Sequence, residues 1–212
     1  MMQFDNKNPL SVDQKKHTES IVEGGNHLLG LVNEILDLAR VEADQMTLSL
    51  SDVDAKDVVA DCVRLIAPLG DPRGIKIDNH FSSGSSVILL TDSSRLKQIL
   101  INLLSNAIKF NRDGGSVTID GKEQVPGFLR ISVTDTGTGI SKEDKSSVFH
   151  LFHRLDDDPM IATEGTGIGL TVTKLLVERM AGRIGFDSDV NVGSTFWIDL
   201  PLAGNEDVMI WS

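Results

Sequence analysis

The sequence predicts an α/β domain preceded by one long helix, and three observations carry that prediction. Between Thr18 and Glu42 the apolar residues recur with a seven-residue period. From Met46 onward, segments that alternate as strands exchange with segments of helical period. Between Thr136 and Gly169 a stretch rich in Gly and Asp interrupts the pattern, and a loop that long inside a compact domain usually serves function.

Each element follows from its residues. Residues 1–15 are polar and turn-rich, so a loose start is expected. In the first helix Ile21, Leu28 and Ile35 share one repeat position and Leu31 and Leu38 the other, a seam that needs a partner helix to be buried. Met46-Thr-Leu48-Ser-Leu50 alternates as a strand, and Ala55 to Leu69 reads as an amphipathic helix closed by Gly70-Asp-Pro72. Short strands are expected at Ile75–His80 and Val87–Leu90, flanking the loop Ser82–Ser86. Ser93 to Phe110 forms a long helix with N-cap candidates in Thr91-Asp-Ser-Ser. Strands Ser116–Lys122 and Phe128–Thr134 make a hairpin around Val125-Pro-Gly. A short helical piece near Lys142–Phe152, a helix Thr171–Met180, and strands Ile184–Ser188 and Thr195–Leu200 complete the domain. The domains so read are 1–45 (its helix about 18–42), 46–204, and a tail 205–212 in which Trp211 could dock.

Composition narrows the function classes. A chain of 212 residues, 40% hydrophobic, can bury one sizeable core and a small appendage. The net charge of −11 and the lack of any basic run argue against nucleic acid or an anionic membrane as partner. Cys62 is the sole cysteine, so no internal disulfide forms, which fits a reducing cytoplasm. No apolar run is long enough to span a bilayer, and any span of a parent protein would lie outside this chain.

Three segments carry chemistry. In Asn102-Leu-Leu-Ser-Asn106-Ala-Ile-Lys109, residues Gln98, Asn102, Asn106 and Lys109 share one face of a largely apolar helix. That stripe either faces solvent or meets partners: a carboxamide oxygen suits Mg²⁺, and Lys109 suits a phosphate. In Asp135-Thr-Gly137-Thr-Gly139-Ile140 the acid ends a strand, and the glycines are either a simple turn or a close approach to a planar ligand. The carboxylate could then accept from an exocyclic amine such as that of adenine. Gly165-Thr166-Gly167-Ile-Gly169-Leu170 opens a helix whose first N–H groups form an anion site. It follows an acidic loop and no strand, so a dinucleotide fingerprint fits poorly.

The order of these segments resembles the catalytic domain of sensor histidine kinases over about residues 46–202. Asn102–Lys109 is similar to their N box, Asp135–Ile140 and Gly165–Leu170 to their glycine boxes, Phe149-His-Leu-Phe152 to their F box, and Gly193-Ser-Thr195-Phe196 to a further glycine box. The resemblance implies the Bergerat ATP-binding fold, a two-layer α/β sandwich whose mixed sheet is covered on one face by helices. It implies Asn106 as the Mg²⁺ ligand, Asn102 and Lys109 near the phosphates, and Asp135 on adenine. Gly137, Gly139, Ile140, Gly165, Thr166, Gly167, Gly169 and Leu170 would shape the ATP site, with Thr195 near the adenine end. Phe149 and Phe152 would anchor the lid, and Arg154 would contact phosphate when it closes. Ile21–Glu42 likewise resembles the second helix of the dimerisation and phosphotransfer hairpin.

The same family carries its acceptor histidine before an acidic residue and Arg-Thr-Pro. None of His17, His27, His80, His150 and His153 stands in that context. The expected activity is therefore transfer of the ATP γ-phosphoryl group to a histidine outside this chain, without autophosphorylation. The implied partners are the acceptor helix of a parent homodimer and a response-regulator receiver domain. Two other readings stand beside this one: an ATP-sensing scaffold without transfer, and an ATPase of the same fold.

Overall fold

The computed structural model describes residues 11–42, 46–83, 86–151 and 167–204. The expected loose start, the tail 205–212 and most of the acidic loop lie outside these residues. The chain divides into two compact units, residues 1–44 and 45–212.

The first unit is one helix, α1 (Val12–Glu42). Its repeat residues Ile21, Leu28 and Ile35 are 74%, 62% and 51% exposed. Among the described residues no helix is long and apolar enough to cross a membrane.

The second unit runs β1 (Ser51–Asp54), α2 (Ala55–Gly70), β2 (Lys76–Asn79), β3 (Ile88–Thr91), α3 (Ser93–Lys109), β4 (Ser116–Val125), β5 (Phe128–Asp135), α4 (Gly169–Arg179), β6 (Arg183–Asp189) and β7 (Gly193–Pro201). Five strands form a sheet in the order β2-β4-β5-β7-β6. It is mixed, because β2 runs parallel to β4 while the other neighbours are antiparallel. Strands β1 and β3 make a separate antiparallel pair, tied to the end of β7 by the Leu89–Leu202 bridge.

Period two along the strands explains the layers. Val117, Ile119, Leu129, Ile131, Val133, Ile198 and Leu200 are buried on one face. Against them pack α3 and α4 through Leu96, Ile99, Leu100, Leu103, Leu104, Val172, Leu176 and Val177, all buried. On the other face Arg130 pairs with Asp199 through two 2.7 Å bonds and stacks 3.7 Å over the ring of Trp197. The expected two-layer sandwich, covered by helices on one side, is what the chain forms.

Boundaries moved where pairing decided them. Met46–Leu50 is not a strand: its residues alternate between half-buried and exposed, but the ladder begins only at Ser51 opposite Thr91. Alternation without a hydrogen-bonded neighbour does not make a strand. In its place the Ser49 N–H donates to Asp92 Oδ2 at 2.9 Å. The same carboxylate caps α3, its Oδ1 accepting from the Ser94 N–H (2.9 Å) and the Arg95 N–H (3.2 Å). The helical piece expected at Lys142–Phe152 is, within the described residues, a single 3₁₀ turn at Lys145–Ser147.

Candidate functional site

The last turn of α3, the end of β5 with the glycine segment behind it, the start of α4 and the β6–β7 turn surround a cavity of about 260 Å³. Asn106, Phe110, Asp135, Thr138, Gly139, Ile140, Leu170, Val190, Ser194 and Phe196 are among the residues of its wall.

Asp135 is the deepest charged group there, 7% exposed. Its Oδ1 accepts from the Gly137 N–H at 2.8 Å and the Ser194 N–H at 3.2 Å, which fixes the rotamer. Among the described residues Oδ2 has no donor. Burial raises the carboxyl above its ordinary value, partly offset by those two N–H bonds. A buried acceptor oxygen without a protein donor is costly unless a ligand supplies one.

The backbone behind Asp135 tolerates no side chain at two positions. A Cβ on Gly137 would stand 2.2 Å from the Phe110 carbonyl oxygen. Gly139 has φ +69°, and its Cβ would meet the Asp189 carbonyl oxygen at 2.0 Å. The Ile140 N–H donates to Ser188 Oγ at 2.9 Å, and Ser188 shares a 2.9 Å bond with the Ser194 hydroxyl. The glycine segment, β6 and β7 thus close one end of the cavity together.

At the other end, the half-buried Asn106 carboxamide lines the wall and makes no side-chain hydrogen bond among the described residues. Asn102 lies outside that wall: its Nδ2 donates to Thr173 Oγ1 at 2.8 Å and its amide occupies the space a Cβ on Gly169 would need. It joins α3 to α4. Lys109 is also outside the wall, with Nζ 4.9 Å from the Phe110 ring centre. Among the described residues no side chain caps the start of α4, and Gly167 just before it has φ +69°. Its first N–H groups therefore suit an anion.

Thr195 does not reach the cavity. Its hydroxyl shares a 3.0 Å bond with Thr134 on the opposite face of the sheet, and its neighbour Ser194 stands beside Asp135. Strand parity puts the adjacent residue, Ser194, on the cavity side. Phe149 begins an aromatic row, edge-on to Phe186 at 5.8 Å, and Phe186 stacks at 5.3 Å on Phe196 in the cavity wall. Phe152, Arg154, Gly165 and Thr166 lie outside the described residues. Sequence reasoning missed Phe110, Thr138, Ser188, Val190 and Asn191. Of these only Asn191, in an Asp-Val-Asn-Val-Gly turn, carried a local signal.

A family model described as histidine kinase-, DNA gyrase B-, and HSP90-like ATPase matches residues 91–204. The sensor histidine kinase GacS of Pseudomonas protegens is 36% identical over 204 residues, 95% of this chain and 22% of the relative. The signal transduction histidine-protein kinase BarA of Escherichia coli is 31% identical over 207 residues, 96% of this chain and 22% of BarA. The chain therefore spans about a fifth of the length of these curated relatives. Among solved structures, full-length ShkA in complex with AMPPNP superposes with a TM-score of 0.77 at 31% identity, covering 95% of this chain and 42% of ShkA. The chain belongs to the histidine kinase-, DNA gyrase B- and HSP90-like ATPase family, and within it to the catalytic, ATP-binding domains of sensor histidine kinases.

Proposed function

We propose that residues 46–204 hold ATP with Mg²⁺ and pass its γ-phosphoryl group to a histidine on a helix outside this chain. Residues 1–45 supply the second helix of the hairpin through which the parent kinase dimerises, and a response-regulator receiver domain takes the phosphoryl group onward. The observation that carries this reading is the buried Asp135 carboxylate, with one oxygen locked by two N–H groups and the other left for a ligand donor.

Asp135 Oδ2 accepts the exocyclic amine of adenine, while Ile140 and Leu170 exclude water from the ring. The positive end of the α4 dipole and the Lys109 ammonium draw the phosphates toward the last turn of α3. Asn106 fits a magnesium ion: its carboxamide is a neutral oxygen donor in the cavity wall with no competing hydrogen bond among the described residues. When bound, the ion would neutralise phosphate charge and fix the triphosphate for in-line attack. What these residues contribute is positioning and charge, which suffice for phosphoryl transfer.

The test mixes the chain with γ-labelled ATP, alone and with a separately supplied dimerisation hairpin from a sensor kinase of this kind. Acid-labile label on the hairpin, and none on the chain, is the expected outcome. Stable label on this chain would refute the assignment of an external acceptor. Steady ATP hydrolysis with no phosphohistidine anywhere would favour the ATPase reading.

A further inference from the structure

We infer that Arg73, on the turn after α2 and remote in sequence from the three motifs, is a positioning residue for the magnesium end of the site. The inference rests on the proposed role of Asn106.

Helix α3 ends at Lys109, and the last carbonyls of a helix have no intrahelical partner. The Arg73 guanidinium takes two of them, together with the Asn111 carbonyl just beyond the helix. One terminal nitrogen donates to the Ile108 carbonyl oxygen at 2.8 Å and to that of Lys109 at 3.1 Å, and the other donates to the Asn111 carbonyl oxygen. Nε donates to Asp113 Oδ1 at 2.8 Å, which sets the plane of the fork. The backbone of the same residue is held as well, since the Gly114 N–H donates to the Arg73 carbonyl oxygen at 2.9 Å. A planar cation with several diverging donors is suited to three carbonyls on one turn, and an ammonium is not. Its charge also lies at the negative end of the α3 dipole.

That turn is where the metal end of the cavity is fixed. Asn106 sits on the last turn of α3, and its carbonyl oxygen accepts from the Phe110 N–H at 3.0 Å. Asp135, in contrast, stands at the end of β5, paired with Val117 of β4 and held by the N–H groups of Gly137 and Ser194. The end of α3 also touches the glycine segment, since the Thr138 N–H donates to the Phe110 carbonyl oxygen at 3.1 Å, but the two N–H bonds to Asp135 come from Gly137 and Ser194, so releasing that end frees the metal ligand first. Arg73 touches neither end; it acts through Asn106.

Calorimetric titration of the 212-residue chain with AMPPNP and with adenosine, each with and without Mg²⁺, tests this. In Arg73→Ala the Mg²⁺-dependent gain in AMPPNP affinity should fall about ten- to hundredfold, as when the group orienting a metal ligand is removed. Adenosine affinity should stay within about twofold of the starting protein, because the Asp135 anchors are intact. Arg73→Lys, which keeps the charge and cannot reach three carbonyls, should lose most of the gain and remain folded, so it decides the matter if Arg73→Ala does not fold. An unchanged Mg²⁺ gain in Arg73→Lys, or an equal loss for AMPPNP and adenosine, overturns the positioning role. Failure of the unsubstituted chain to bind AMPPNP at all, or binding with no Mg²⁺ gain, overturns the reading of the site itself and this inference with it.

Discussion

Replacing Asp135 by asparagine should weaken adenine-nucleotide binding while leaving the fold as stable as before or more so. The geometry decides the sign. Oδ1 accepts two backbone N–H groups, from Gly137 at 2.8 Å and Ser194 at 3.2 Å, so in Asp135→Asn the carboxamide oxygen must take that place. The NH₂ group then occupies the position of Oδ2 and faces the adenine amine, donor against donor. Losing a hydrogen bond to a charged acceptor costs about 1.5–3 kcal/mol, and the opposed donors add to that. A total near 3 kcal/mol corresponds to roughly 150-fold in dissociation constant. Stability should move the other way, because an amide escapes the cost of holding a charge where burial disfavours it. The folded carboxyl titrates above its unfolded value of 3.8, so its stabilising contribution is complete below that value and is lost as pH rises through the raised one. Denaturation followed against pH should show that acid-side gain in the parent chain and not in Asp135→Asn. Nucleotide affinity in the parent should fall on acidification earlier than an ordinary aspartate would dictate, and that component should vanish in the variant. Calorimetry with ATP, and with inosine triphosphate, whose 6-oxo oxygen replaces the amine and can accept from the new NH₂, completes the assay. Equal ATP affinity in the two proteins would refute the reasoning, as would a large loss of thermal stability in the variant.

Two further outcomes follow from the same geometry. Asn106→Ala should abolish most of the Mg²⁺-dependent part of AMPPNP binding, at least about tenfold, with adenosine affinity unchanged; an intact metal effect in calorimetry would remove Asn106 as the ligand. Gly139→Ala combines a φ of +69° with a Cβ 2.0 Å from a backbone oxygen, so a loss of about 2–3 kcal/mol, read as a fall of roughly 5–10 °C in Tm, is expected; an unaltered melting curve would show that the loop relaxes freely.

Much of this architecture could be read from residue order, for identifiable reasons. Helix α3 was legible because Leu96, Ile99, Leu100, Leu103 and Leu104 keep a helical period with polar residues between them, and its cap because Asp92 stands where an N-cap must. The strands β4, β5 and β7 were legible because their buried faces alternate. Met46–Leu50 misled because alternation reports burial, and a strand also needs a neighbour to bond with. Asn102 and Asn106 look equivalent along the helix, yet one bonds Thr173 on α4, 71 residues on, and the other faces the cavity.

The sequence by itself determined which groups this domain has to work with: amides at helical spacing, an acid at a strand end, and glycines where the backbone turns. Their types and order identify the family, because these are properties of neighbouring residues. Only the tertiary structure decided that Ser194 and not Thr195 joins Asp135, that one Asp135 oxygen has no donor among the described residues, and that Arg73 closes the end of α3. Those outcomes depend on the register between β5 and β7, where one residue of slip exchanges the faces, and on carbonyls orphaned by a helix terminus more than 30 residues away from the arginine that finds them.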